Sequence, residues 1–219
     1  MDLTATEFQV RLDALRSEDG RVGMGRIFAL AKEHMAMDPA QIERLLESQR
    51  HEDRVGAVSI MDFQARRKQT TEVRRRELFE LYVRRHDLID TWDLVDRSAI
   101  WVVGEYLVDR PRDVLYRLAS SKRPMERRTA ILSTFAFIRR GDVDDAAKIA
   151  ELLVGDGDDL VQKAVGWMLR EVGKQDPARH AAFLDAHAAT MPRVMLRYAI
   201  EKLSPADRQF YMGLARSTS

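Results

Sequence analysis

Cysteine is absent from all 219 residues, and that one absence removes disulfides, thiolate zinc sites, iron–sulfur clusters and a thiol nucleophile together. Long apolar runs are missing too. The uncharged runs, Ser98 to Gly104 among them, fall far short of the ~20 residues that a membrane-spanning helix requires, so no membrane partner is expected. Met1 to Val10 carries Asp2 and Glu7 instead of a basic start followed by an apolar stretch, so no secretory leader is read and a cytoplasmic location is expected. Neither sign of charge dominates: Lys+Arg 36 against Asp+Glu 35 leaves a net of +1, without the overall basic balance of many nucleic-acid binders. Strand signals are nearly absent, with no sustained period-2 alternation and no Asn-Gly or Asp-Gly hairpin between β-branched runs. Gly-rich phosphate loops, His-Glu-x-x-His and Gly-x-Ser-x-Gly are also missing. The five histidines (His34, His51, His86, His180, His187) show no metal-ligand spacing, so neither a metal nor a cofactor is expected.

What the chain has in abundance is helical periodicity. Apolar residues recur at i, i+3, i+4 and i+7 in about thirteen short segments, among them Phe8–Leu15, Val55–Phe63, Leu94–Leu107, Ile131–Ile138 and Leu160–Val172. Asp38-Pro39, Asp176-Pro177 and Ser204-Pro205 each place a cap residue before a proline suited to the first helical position, and Gly20 and Gly141 suit C-terminal caps. Many short helices with no long apolar one to serve as a central core predict an all-α fold. The expected form is an α-solenoid of about five or six HEAT-like helix pairs, at about 40 residues per pair, forming a single domain over 1–219. A compact helical bundle is the structural alternative.

Charge is segregated along the chain even though it cancels in sum. Arg110 to Arg140 holds nine basic residues against Asp113 and Glu126, an excess of +7, and Asp142 to Asp159 then holds seven acids against Lys148 alone. Such runs usually mark solvated helix faces; here a basic concave strip is the second possibility.

Three stretches concentrate candidate chemistry: Thr91 to Asp96, Glu126 to Ile131, and Gln162 to Glu171. Trp92 and Asp96 are four residues apart, one turn along a helix, and Trp167 and Arg170 are i, i+3 neighbours. Trp92 to Arg128 is 36 residues and Arg128 to Trp167 is 39, each close to one repeat. Tryptophans in amphipathic helices are more often core than binding residues, and Trp101 is assigned to the core. Carboxylates in a first turn, as at Asp93 and Asp96, are favoured by the helix dipole alone. Arg128 and Arg170 are by default solvated.

The chain resembles the DNA alkylation-repair glycosylases with HEAT-like repeats, the AlkD type. The resemblance rests on Trp92-Asp-Leu-Val-Asp96, Arg128-Thr-Ala-Ile131, Gln162-Lys-Ala-Val-Gly-Trp-Met-Leu-Arg-Glu171 and Met191-Pro-Arg-Val-Met-Leu-Arg-Tyr-Ala-Ile-Glu-Lys-Leu203, with Met24 to Lys32 and His51-Glu52-Asp53-Arg54 as further familial stretches. By that resemblance Asp96 corresponds to the catalytic carboxylate, Trp92 and Trp167 to the aromatics flanking a damaged nucleotide, and Arg128 to a backbone-contacting arginine. Lys163, Arg170 and Arg197 are the further cations assigned to phosphates. The implied partner is double-stranded DNA containing alkylated purines, met by a monomer associated with the nucleoid.

These residue types suit the reaction so implied. Alkylation at N3 or N7 makes the purine cationic, so it leaves as a neutral molecule and little acid assistance is needed. Charge builds on the sugar, where a fixed carboxylate stabilises it and orients water. Electron-rich indoles attract the charged lesion. Two rivals remain open: a non-catalytic protein of the same fold binding branched or distorted DNA, and a scaffold for protein partners, which an exposed apolar groove would mark. The catalytic assignment requires Trp92 to lie outside the core.

Overall fold

The structure is a computed structural model that describes residues 3–214. All regular structure among the described residues is helical, as the periodicity predicts. The packing divides into two compact units, Met1–Tyr106 and Leu107–Ser219.

In the first unit, α1 (Ala5–Ala14), α3 (Pro39–Leu46) and α5 (Glu72–Arg84) alternate with α2 (Met24–Glu33), α4 (His51–Arg66) and α6 (Trp92–Ser98). The two sets form layers: α1 meets α3 and α3 meets α5, while α4 lies between α2 and α6. Helix α4 is the axis of this unit. Val55, Ala57, Val58, Ile60 and Met61 are all buried, because the helix has neighbours on nearly every side, so its amphipathic signal is weak although its packing is dense. Beyond Ser98 the single helix expected over Leu94–Leu107 changes character. Ala99–Gly104 winds as a π-helix and Glu105–Leu107 as a 3₁₀ turn. Short π segments inside α-helices are rare and often mark functional sites.

The second unit contains α7 (Asp113–Ala119), α8 (Pro124–Ser133), α9 (Phe135–Ile138), α10 (Asp144–Leu152), α11 (Asp159–Gln175), α12 (Pro177–His187), α13 (Arg193–Ala199) and α14 (Pro205–Gly213). Here α11 is the axis, touched by α8, α10, α12 and α13. The approach of α13 is close enough to require a glycine. A Cβ built on Gly166 would lie 2.4 Å from the Met195 carbonyl oxygen and 2.6 Å from Tyr198 Cβ, closer than atoms in a packed interior tolerate.

The boundary chemistry is as expected at most ends. Asp176 accepts from the Arg179 amide and Ser204 from the Asp207 amide, each before a proline at the first turn, and Gly20 and Gly141 adopt φ of 75° and 82°. Asp38 departs from the pattern: its carboxylate makes no cap and instead accepts from Arg74 at 3.1 Å. No helix among the described residues is long and apolar enough to cross a membrane.

Candidate DNA-repair site

In the first unit, the start of α6 sorts its side chains sharply. Leu94, Val95 and Ser98 are buried in the core. Asp93 turns toward α4, where its Oδ2 lies 2.8 Å from His51 Nε2 and its Oδ1 accepts from Thr91 Oγ1 at 2.7 Å. Burial raises the Asp93 pKa, but these hydrogen bonds outweigh it and hold the carboxyl below its ordinary value. Arg97 also turns to α4. Its Nε donates to Ser59 Oγ at 3.2 Å, and its guanidinium stands 4.6 Å over the Phe28 ring and 4.7 Å over the Phe63 ring. Trp92 and Asp96 lie one turn apart on this helix. Trp92 is 51% exposed, which meets the requirement that it lie outside the core, and Asp96 is half-buried.

Trp101 differs from its expected core role. It is only partly buried, and the Arg66 guanidinium sits 4.3 Å above its ring. The π turn widens the backbone here, so the rotation that an α-helix would give residue 101 does not apply.

In the second unit, Lys163, Trp167 and Arg170 lie at i, i+4 and i+7 on α11, while Val161, Ala164, Val165, Met168 and Leu169 are buried. The half-buried Trp167 packs on Phe135 at 6.4 Å between ring centroids, and Arg139 stands 5.4 Å over Phe135. Lys163 pairs with Asp159 at 2.9 Å, and Arg170 with Glu201. Arg128 is not solvated: it is 6% exposed and donates to the Leu160 carbonyl at the start of α11. Arg170 is also largely covered, at 18% side-chain exposure. Arg197 is exposed and lines a shallow groove with Ile200, Pro205, Arg208 and Met212. Tyr198 is exposed beside Gly166.

The +7 segment does not present all its charge to solvent. Arg112 pairs with Asp142 at 2.6 Å and Asp145 at 2.5 Å, Arg127 with Asp156 at 2.5 Å, and Arg123 with Glu126. The basic segment thus folds onto the acidic one that follows it. Arg112 also covers the Phe137 ring at 3.7 Å. Among the described residues no cluster of three or more His, Asp or Glu side chains is arranged to hold a metal ion.

Several residues of these two settings are not singled out by sequence reasoning: Phe28, Ser59, Asp62 and Phe63 around Arg97, and Phe135 and Tyr198 near Trp167. The signal for Asp62 was present, since it interrupts the apolar Val55–Phe63 pattern with a charge.

The fold is that of an all-helical protein built on layered helices, with an exposed indole and a carboxylate one turn apart on α6. The chain belongs to the DNA alkylation repair enzyme family, whose model matches residues 22–203. Its fold is similar to that of a solved structure described as a predicted DNA alkylation repair enzyme from Enterococcus faecalis, with a TM-score of 0.64 and 17% identity over 92% of this chain and 95% of that one. Identity at that level speaks to fold alone. Among curated proteins, no sequence is significantly similar to the chain. Family membership supports a role in DNA repair with DNA as the substrate.

Proposed function

We propose that the protein is a DNA glycosylase that hydrolyses the N-glycosidic bond of cationic N3- or N7-alkylated purines in duplex DNA. The observation that carries this reading is the sorting of α6: Asp93 and Arg97 are tied inward, while Trp92 stands 51% exposed with Asp96 one turn away. Asp96 is assigned to the sugar, where its carboxylate faces the positive charge that develops as the bond breaks. Such preorganised stabilisation is worth about 3–4 kcal/mol where single groups have been removed elsewhere. The leaving purine departs neutral, so no general acid is assigned.

Trp92 and Trp167 are assigned to the cationic nucleotide, each contributing ~0.5–2 kcal/mol according to how well water is excluded. Lys163, Arg170 and Arg197 are assigned to phosphates. DNA must compete with Asp159 for Lys163 and with Glu201 for Arg170, whereas Arg197 is directly accessible. The buried Arg128 is assigned a contact made as DNA arrives, together with its hold on the first turn of α11.

The test is release of free base from N7-methylguanine duplex DNA by wild type and Asp96→Asn, with binding to the same duplex measured alongside. The expected result is release by wild type and at least a tenfold loss in the variant at similar affinity. Binding without release from either this duplex or N3-methyladenine DNA would replace this reading with a non-catalytic DNA-binding protein.

A further inference from the structure

Asp62 is a carboxylate with no exposed surface on α4, directly after the buried apolar and small stretch Val55–Met61. Removing a charge from water is costly unless partners are close and well placed. Asp62 has two, Arg66 one turn further along α4 and Arg97 near the end of α6, just before the π segment. Its Oδ1 accepts from Arg66 Nε at 2.8 Å, and the Arg66 guanidinium covers Trp101 inside the π segment. Its Oδ2 lies 3.1 Å from Arg97 Nη2 at the end of α6, an ion pair without the alignment of a hydrogen bond.

Arg97 in turn laces three helices together. It stands between Phe28 of α2 and Phe63 of α4, donates to Ser59 of α4, and is itself part of α6. Burial pushes the Asp62 pKa up, opposed by the Arg97 charge and the Arg66 hydrogen bond; burial likewise pulls the Arg97 pKa down, opposed by Asp62. The two charges therefore depend on each other to remain in the interior.

We infer that Asp62 is a positioning residue for Asp96: through Arg97 before the π segment and Arg66 on Trp101 within it, one buried carboxylate fixes the rotation of α6 and hence the direction of the Asp96 carboxylate. The inference rests on the glycosylase reading above. Arg97 directly follows Asp96, so any turn of the helix that releases Arg97 from its slot also swings Asp96 and Trp92. A displacement of about 1 Å at a reacting group is enough to lower a rate by ~10²-fold, and sites are held most accurately by groups whose own rotamers are locked by packing.

The experiment compares wild type with Asp62→Asn and Arg97→Gln, measuring the folded fraction, affinity for N7-methylguanine duplex and the single-turnover rate of base release. The expected result is a variant that is folded, binds within about twofold of wild type and releases base at least tenfold more slowly, because a misaimed carboxylate lowers the rate without lowering affinity. Should Asp62→Asn fail to fold, Arg97→Gln, which removes the positive charge but keeps a polar side chain, carries the test under the same criterion. A folded variant with a rate within twofold of wild type overturns the positioning role, and so does a rate that falls only in step with affinity or folded fraction. Wild type that releases no base overturns the glycosylase reading and this inference with it, which distinguishes the two failures.

Discussion

Gly166 faces the main chain of Met195 with no room for a side chain, since a Cβ there would stand 2.4 Å from the Met195 carbonyl oxygen. The obstacle is backbone, which cannot swing aside as the end of a flexible side chain can. Gly166→Ala is therefore expected to destabilise the protein by about 1–3 kcal/mol, the scale of overpacking, measured as a shift in urea midpoint with an unchanged slope. Because Trp167 is the next residue, the same substitution should also lower base release in excess of any loss of folded protein.

His180 is 3% exposed, and among the described residues its Nε2 has no well-aligned hydrogen-bond partner, although the Ala199 backbone lies near the ring and partly opposes the effect of burial. Burial lowers its pKa below the ordinary 6.5. The unfolded chain then takes up a proton near pH 6.5 while the folded one does not, so stability present above that pH is lost as pH falls below it. His180→Gln is expected to lose less stability than wild type between pH 7.5 and 5.5, read as the difference in urea midpoint at the two values; equal losses would contradict the assignment.

Arg127 grips Asp156, whose side chain is only 4% exposed, and also donates to the Ser121 and Lys122 carbonyls. Arg127→Met takes the countercharge from that carboxylate, leaving it the Asp158 amide at 2.9 Å, and breaking one side of a buried pair costs about 3–5 kcal/mol. Part of the pair is hydrated here, so the expected loss is at the lower end, ~3 kcal/mol. Arg127→Met with Asp156→Asn should recover much of it, a comparison that calorimetry resolves.

Arg197 is exposed and assigned to a phosphate. If it makes one such contact, Arg197→Ala should flatten the dependence of log affinity on log salt by about 0.9. Titration of unmodified duplex at several salt concentrations measures this directly; an unchanged slope removes Arg197 from the interface.

Trp92→Ala is expected to lower the preference for alkylated over normal duplex by ~2- to 30-fold, corresponding to the range of cation–π energies, while Trp92→Phe retains part of it. Competition binding with matched duplexes provides the ratio. Loss of affinity for both duplexes alike would instead mark Trp92 as a general stacking surface.

The helices were legible because their apolar spacing and proline-led starts are local. Pro39, Pro177 and Pro205 each open a helix where expected. The break in Leu94–Leu107 was not legible, since the apolar residues continue without interruption through a π turn and only tertiary partners such as Arg66 on Trp101 distinguish it. Trp92 and Asp96 could be placed on one face from their spacing. The burial of Arg128 could not, because its acceptor, the Leu160 carbonyl, is main chain and 32 residues away. The charge segregation was visible as two runs of opposite sign, but their mutual pairing is a property of how α7, α8 and α10 meet.

The π segment at Ala99–Gly104 also bears on how the chain tolerates changes in length. A π turn holds one residue more than the α-helix around it can accommodate in register. Deleting a single residue between 99 and 104 would let the ladder close as uniform α-helix; the residues within the segment, Trp101 among them, would then turn about the axis by up to about 100° from their present directions. Trp101 would leave Arg66, while Asp96 and Arg97 upstream would keep their place in sequence but lose the anchor behind them. Within a fold otherwise rich in polar turns where insertions and deletions are easily absorbed, these six residues form a stretch whose count is fixed as firmly as its composition.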